Sequence, residues 1–108
     1  EHHLGCDVLE TYLSIKGFKV YNIGTSIPTE SLLSFIENNK LDIILVSITL
    51  EDSISAGQRL VKKIRERYNI PILVGGYAVQ SKKIPKFEAT VISDISLEEI
   101  PRIIKATH

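Results

Sequence analysis

Residues 41–50 read LDIILVSITL, and this stretch decides the fold. Ile43, Ile44, Leu45 and Val46 form an unbroken apolar run. The run is far too short to span a bilayer. Because no polar residue alternates with the apolar ones, it suits a parallel strand covered on both faces rather than a strand with one face in water. Such a strand needs helices above and below its sheet, so the flanking sequence should alternate between the two periods.

It does. Upstream, SIPTESLLSFIENNK places Pro28 near a first helical turn and Leu32, Leu33 and Ile36 on one face. Before it, FKVYNI alternates as a strand and stops at Gly24. Earlier still, Leu4, Val8, Leu9, Tyr12 and Ile15 recur at helical spacing, with Gly17 as the C-terminal cap. Downstream, LEDSISAGQRLVKKIRERY reads as one long helix with Leu60, Val61 and Ile64 inward, and IPILVGG as a second buried strand. YAVQSKKIPKFEA is a basic, poorly periodic connection, TVIS a short strand, and SLEEIPRIIKA a last helix with Ser96 and Glu99 as its capping box. Strand–helix alternation of this kind makes an α/β, flavodoxin-like doubly wound parallel sheet. The first helix has no strand before it, although this architecture places one in the middle of the sheet. A strand is therefore expected ahead of Glu1, with residues 1–108 forming one domain of a longer chain.

The 108 residues suit a single hydrophobic core. Thirteen basic and thirteen acidic residues cancel. That excludes a dedicated nucleic-acid or membrane-surface module, since both rely on basic excess. The single cysteine, Cys6, rules out an internal disulfide framework and suits a reducing, cytoplasmic compartment. Its place among the apolar residues of the first helix makes it a core side chain rather than a metal ligand.

Ligands of open α/β sheets bind at the carboxyl ends of the strands. The small and hydroxyl residues gather there: His2-His3-Leu4-Gly5 after the expected first strand, Gly24-Thr25-Ser26 after the second, Ser47-Ile48-Thr49-Leu50 after the third, and Gly75-Gly76-Tyr77 after the fourth. Singly, each has a plain explanation. Two histidines can belong to a tag or a solvated loop, Ser47 can be a satisfied hydroxyl at a strand end, and paired glycines can form a turn with positive φ.

Together, the spacing resembles the cobalamin-binding domain family. Its members carry Asp-x-His-x-x-Gly, then Ser-x-Leu or Ser-x-Thr-Leu, then Gly-Gly. Here His2-x-x-Gly5 is followed about 40 residues on by Ser47-x-Thr49-Leu50, and about 25 further by Gly75-Gly76. GFKVYNIGTSIPTESL is similar to the family's second strand, glycine turn and helix start. The resemblance runs from residue 1 to about residue 80 and is weaker beyond.

The resemblance implies a cobalt corrinoid cofactor, cobalamin, bound with its benzimidazole base off. His2 would be the lower axial cobalt ligand; His3 falls at the variable position. Gly24, Thr25, Thr49 and Tyr77 would line the cofactor face. Gly75 and Gly76 would floor the channel of the displaced nucleotide tail, Ser47 and Leu50 would wall it, and Gly5 would let the first helix start close to the tail. On this view Gly76→Val blocks binding and leaves the apo fold intact. The family's aspartate falls ahead of Glu1. Ser53 matches a serine that completes a His–Asp–Ser relay in methionine-synthase-like members; the other reading is that it caps the helix after Asp52. Without the expected first strand, residues 1–108 alone should bind cofactor poorly.

Family members serve as corrinoid carriers for methyl transfer, in which cobalt cycles between Co(I) and methyl-Co(III), or as B12-dependent sensory domains of transcriptional regulators. Both place a helical cap domain upstream. The carrier works with partner methyltransferases; the regulator reads DNA through another domain. A phosphorelay receiver shares the fold but needs an aspartate where Ser47 stands and a lysine after TVIS, and both are missing. No residue here forms an acid, base or nucleophile set, so the cofactor carries the chemistry.

Overall fold

The structure is a computed structural model and describes residues 5–48, 50–76, 90–91 and 97–107. In chain order the elements are α1 (Cys6–Ile15), β1 (Val20–Ile23), α2 (Thr29–Asn38), β2 (Ile43–Ser47), a 3₁₀ turn (Glu51–Ser53), α3 (Ile54–Arg67), β3 (Ile72–Gly75), β4 (Thr90–Val91), a second 3₁₀ turn (Leu97–Glu99) and α4 (Ile100–Thr107). The four strands form one sheet in the order β1-β2-β3-β4, and every pair is parallel.

The sheet separates two apolar layers, and β2 shows why it had to be apolar throughout. Ile44 and Val46 pack with Ile72 and Val74 against Leu32 and Ile36 of α2 and Leu60, Val61 and Ile64 of α3. Ile43 and Leu45 point the other way, with Leu73, against Cys6, Leu9 and Leu13 of α1 and Ile100 and Ile104 of α4. All four residues from Ile43 to Val46 are fully buried. Alternate side chains of a strand face opposite sides, so a strand between two helical layers has no position left for water. Helices α1 and α4 lie on one face and α2 and α3 on the other. This is the doubly wound α/β arrangement expected from the sequence.

Four details differ from the sequence reading. First, the buried face of α1 is Cys6, Leu9 and Leu13, while Val8 is 60% and Ile15 81% exposed. Second, the helix after β2 is not continuous, because a 3₁₀ turn precedes α3. Third, β1 begins at Val20 rather than Phe18. Fourth, the expected slot for a strand between β1 and β2 is closed. Val20 to Ile23 pair directly with Ile43 to Val46, which satisfies N–H and C=O groups that an open slot would leave bare. Ser96 and residues 77–89 lie outside the described residues.

Gly17 does cap α1. Its φ is +95°, its N–H donates to the Ser14 carbonyl at 3.0 Å, and the Phe18 N–H donates to the Leu13 carbonyl at 3.1 Å. This is a Schellman motif, in which a left-handed residue lets two orphan carbonyls find donors. Phe18 then folds back onto the Leu13 layer. At the amino ends of the strands, the Lys19 N–H donates to the Asp42 carboxylate at 2.7 Å and the Asp42 N–H to the Lys19 carbonyl at 2.8 Å. That edge is fastened, and the carboxyl edge is left to the loops.

Candidate functional site

Ligands of open α/β sheets bind outside the carboxyl ends of the strands, and here those ends of β1, β2 and β3 lie side by side on one edge. The structure brings Gly24, Thr25, Ser47, Gly75 and Gly76 to this edge. Ser47, the last residue of β2, is in register with Gly75, the last of β3. The ladder runs one bond further, with the Ile48 N–H donating to the Gly75 carbonyl at 2.8 Å.

Ile48 is the centre of this edge, and the sequence reading did not single it out. Its side chain is fully buried. A Cβ on Gly57 would stand 2.5 Å from Ile48 Cδ1 and 3.6 Å from Thr25 Cγ2, so α3 comes this close only because residue 57 is glycine. A Cβ on Gly76 would strike the Ile48 backbone, with its N at 2.7 Å and its carbonyl C at 2.8 Å as well as its carbonyl oxygen. Gly76 also has φ +114°, a region that side chains other than glycine's enter at a cost. This corrects the expectation that Gly76→Val spares the apo fold: the missing side chain at residue 76 makes room for Ile48.

Gly24 is the opposite case. Among the described residues, no atom beyond its two chain neighbours lies within 4 Å of where its Cβ would be, and the same holds for Gly5, the N-cap of α1. None of the described residues fills the space beside either glycine. Thr25 lines a cleft of about 350 Å³ between the start of α2 and α3, with Ile27, Thr29, Ala56, Arg59, Leu60 and Lys63. Leu50 is 65% exposed, an apolar side chain in water at the binding edge. Ser53 sits at the N-cap of α3, but its hydroxyl makes no capping bond; its N–H donates to the Leu50 carbonyl at 2.9 Å. The capping explanation for Ser53 is thus removed. His2, Thr49 and Tyr77 lie outside the described residues, as does His3.

Cys6 is buried, as expected, and its surroundings tie α1 to the same edge. The thiol donates a long hydrogen bond, 3.9 Å, to the Val46 carbonyl. Burial pushes its pKa above the ordinary value of 9.0. A hydrogen bond with the Ser47 side chain acts against that rise, the Asp7 carboxylate adds to it, and the Gly75 backbone acts against it. Cys6 is a neutral thiol packed beside two rim residues. Among the described residues, no three His, Cys, Asp or Glu side chains converge in a way that would hold a metal ion.

The rim therefore offers open glycines, hydroxyls and one exposed leucine to a large, partly apolar ligand. Comparison with known proteins names that ligand. The B12-binding domain family model matches residues 1–92. The chain belongs to this family. Cobalamin is accordingly its cofactor, and the residues present fit it: the bare edge at Gly24 and the exposed Leu50 suit the close approach of a broad ring system.

The chain is 23% identical over 111 residues to the trimethylamine corrinoid protein of Methanosarcina barkeri, covering 99% of this chain and 51% of that protein. With dimethylamine corrinoid protein 1 of Methanosarcina acetivorans it shares 20% over 104 residues, 94% and 49% of the two chains. It is also 39% identical over 100 residues to a tRNA dimethylallyltransferase of a Psychrobacter species, 84% of this chain but 27% of that protein. The chain thus spans about half the length of the corrinoid relatives. No solved structure matches it. Among the described residues, no helix is long and apolar enough to cross a membrane.

Proposed function

We propose that this chain is the cofactor-carrying module of a corrinoid protein, holding cobalamin base-off with His2 as lower axial ligand and presenting it to partner methyltransferases. The observation that carries the carrier reading is the likeness to two corrinoid proteins over almost all of this chain. The dimethylallyltransferase likeness covers about a quarter of its counterpart and lends no activity to this chain.

The residues support the reading in three ways. Neutral imidazole is a good ligand for a metal of cobalt's softness. A corrin supplies its own equatorial nitrogens, so the protein needs to add one axial donor rather than a cage. Ser53, whose hydroxyl caps nothing, is free of the structural task that would compete with a place in a hydrogen-bond relay to His2. In this proposal Gly5, Gly24, Thr25, Thr49 and Tyr77 border the cofactor, and Ser47, Leu50, Gly75 and Gly76 lie along the nucleotide tail. The corrinoid, when bound, supplies the methyl-transfer chemistry. The chain's own part is to hold the tail, displace the base and keep one imidazole in place. An upstream helical cap, membership of a longer chain and a cytoplasmic location belong to the same proposal.

The test uses the full-length protein with methylcobalamin. His2→Ala should weaken binding at least about tenfold and shift the visible spectrum, while His3→Ala should leave both near the parent. Equal effects from the two would refute the ligand assignment. Methyl turnover with a partner methyltransferase supports the carrier. Cobalamin-dependent DNA binding by the whole protein supports the sensory regulator instead.

A further inference from the structure

Asn22 is a polar exception in the layer that faces α1. Around it the layer is built from Val20, Leu45 and Leu73 of the sheet and Cys6, Leu9 and Leu13 of α1, and Asn22 is in register with Leu45. An apolar residue would serve this layer better as packing. Instead, the Asn22 side-chain amide donates to Asp7 Oδ1 at 3.0 Å and to Glu10 Oε1 at 3.2 Å. Asp7 and Glu10 are three residues apart on α1 and so share one face of it, where like charges repel. An amide NH₂ has two protons, one for each carboxylate.

The placement of this clasp gives it a consequence. Asn22 stands one residue before the carboxyl end of β1, and Asp7 is the second residue of α1. The clasp therefore fastens the first turn of α1 to the sheet edge that holds the rim. That turn has Gly5 as its N-cap and no side-chain capping bond. The Cys6 thiol bond to the Val46 carbonyl adds little at 3.9 Å. Three residues ahead of Gly5 in the sequence is His2. A ligand must be held within about half an ångström of its productive position, so a first turn free to shift would misplace the imidazole.

We propose that Asn22 is a positioning residue for the axial histidine: by clasping Asp7 and Glu10 it fixes the start of α1, which follows His2 closely in the sequence. The proposal rests on His2 being the cobalt ligand. It makes the third residue of β1 part of the cofactor site without any contact between Asn22 and the cofactor.

The experiment reads ligation directly. Cobinamide, a corrinoid that lacks the benzimidazole base and so has no competing nitrogen of its own, is bound to the full-length protein and reduced to the Co(II) form, and its electron paramagnetic resonance spectrum is recorded. An axial nitrogen splits each cobalt line into three. At saturating cofactor, Asn22→Ala should lower the ratio of nitrogen-ligated to unligated cobalt at least tenfold while cofactor stoichiometry is kept. Asn22→Asp should lower it further, since it adds a third carboxylate to the pair. The exchange Asn22→Asp with Asp7→Asn moves the amide to the helix and should restore the splitting. A full triplet in Asn22→Ala overturns the proposal, and so does a folded exchange variant without recovery. His2→Ala in the parent separates the two readings. If it leaves the triplet, the His2 assignment falls and this proposal falls with it. If it abolishes the triplet and Asn22→Ala does not, only the role of Asn22 is refuted.

Discussion

Gly24 and Gly76 stand on the same edge of the sheet, each just after a strand, yet they answer to different demands. Around Gly24 no described residue beyond its chain neighbours comes within 4 Å of where a side chain would begin. At Gly76 the backbone has positive φ and the Ile48 main chain occupies the position of a Cβ. One glycine leaves room outward, for a ligand; the other leaves room inward, for the protein. A rim rich in small residues is therefore two structures, a locked half at β2 and β3 and an open half at β1.

The comparison can be broken by substitution, and the locked half should give the largest effect. Gly76→Val should destabilise the apo-protein by about 3 kcal/mol or more, a fall of roughly 12 °C in Tm for a domain of this size. A Tm within two or three degrees of the parent, on a calorimetric scan, would return Gly76 to the open class. Gly57→Ala comes next. It gains about 1 kcal/mol of helix propensity but must displace the fully buried Ile48 side chain, whose Cδ1 lies 2.5 Å from the new atom. A net loss of about 1 kcal/mol is expected in urea titration, and a net gain would mean that the edge is loosely packed.

Cys6 offers a smaller, pH-dependent test of how tightly the start of α1 is sealed. Because its folded pKa is raised, mainly by burial, the unfolded chain loses this proton first as pH rises. The stabilising contribution is full below the ordinary value of 9.0 and declines as pH rises from there toward the folded pKa. Stability measured between pH 8 and 10 should fall less steeply in Cys6→Ala than in the parent; parallel curves would show that the thiol is not sealed. The smallest effect on the fold belongs to Gly24→Ala, within about 0.5 kcal/mol of the parent. Its signature should appear only with cofactor, as a reduced rise in Tm on adding hydroxocobalamin. If the apo-protein itself loses several degrees, the two glycines are alike after all.

Much of the architecture was legible because periodicity survives in sequence. An apolar run such as Ile43–Val46 admits few environments, and the intervening helical stripes named the covering layers. The face of α1 was misread for a definite reason. Leu9 belongs to two overlapping stripes, one through Val8, Tyr12 and Ile15 and one through Cys6 and Leu13, and only packing chooses between them. The rim was legible as a collection of small residues at strand ends. Which glycine is locked was not, because that depends on Ile48 and Gly57, residues that look like ordinary core and ordinary helix in one dimension. Asn22 was hidden likewise: at a strand end it reads as polar punctuation, and its two carboxylate partners lie a helix away.

The strand order carries a consequence for how the chain assembles. Each ladder joins strands adjacent in sequence, so Val20 meets Ile43 after 23 residues, Ile44 meets Ile72 after 28, and Leu73 meets Thr90 after 17. The entropy of closing a loop rises only slowly with its length, and these three closures are nearly alike. Parallel sheets usually fold slowly because their pairings are distant along the chain. Here the sheet can grow one strand at a time in the direction of synthesis, with each newly made edge paired as soon as the next strand is available.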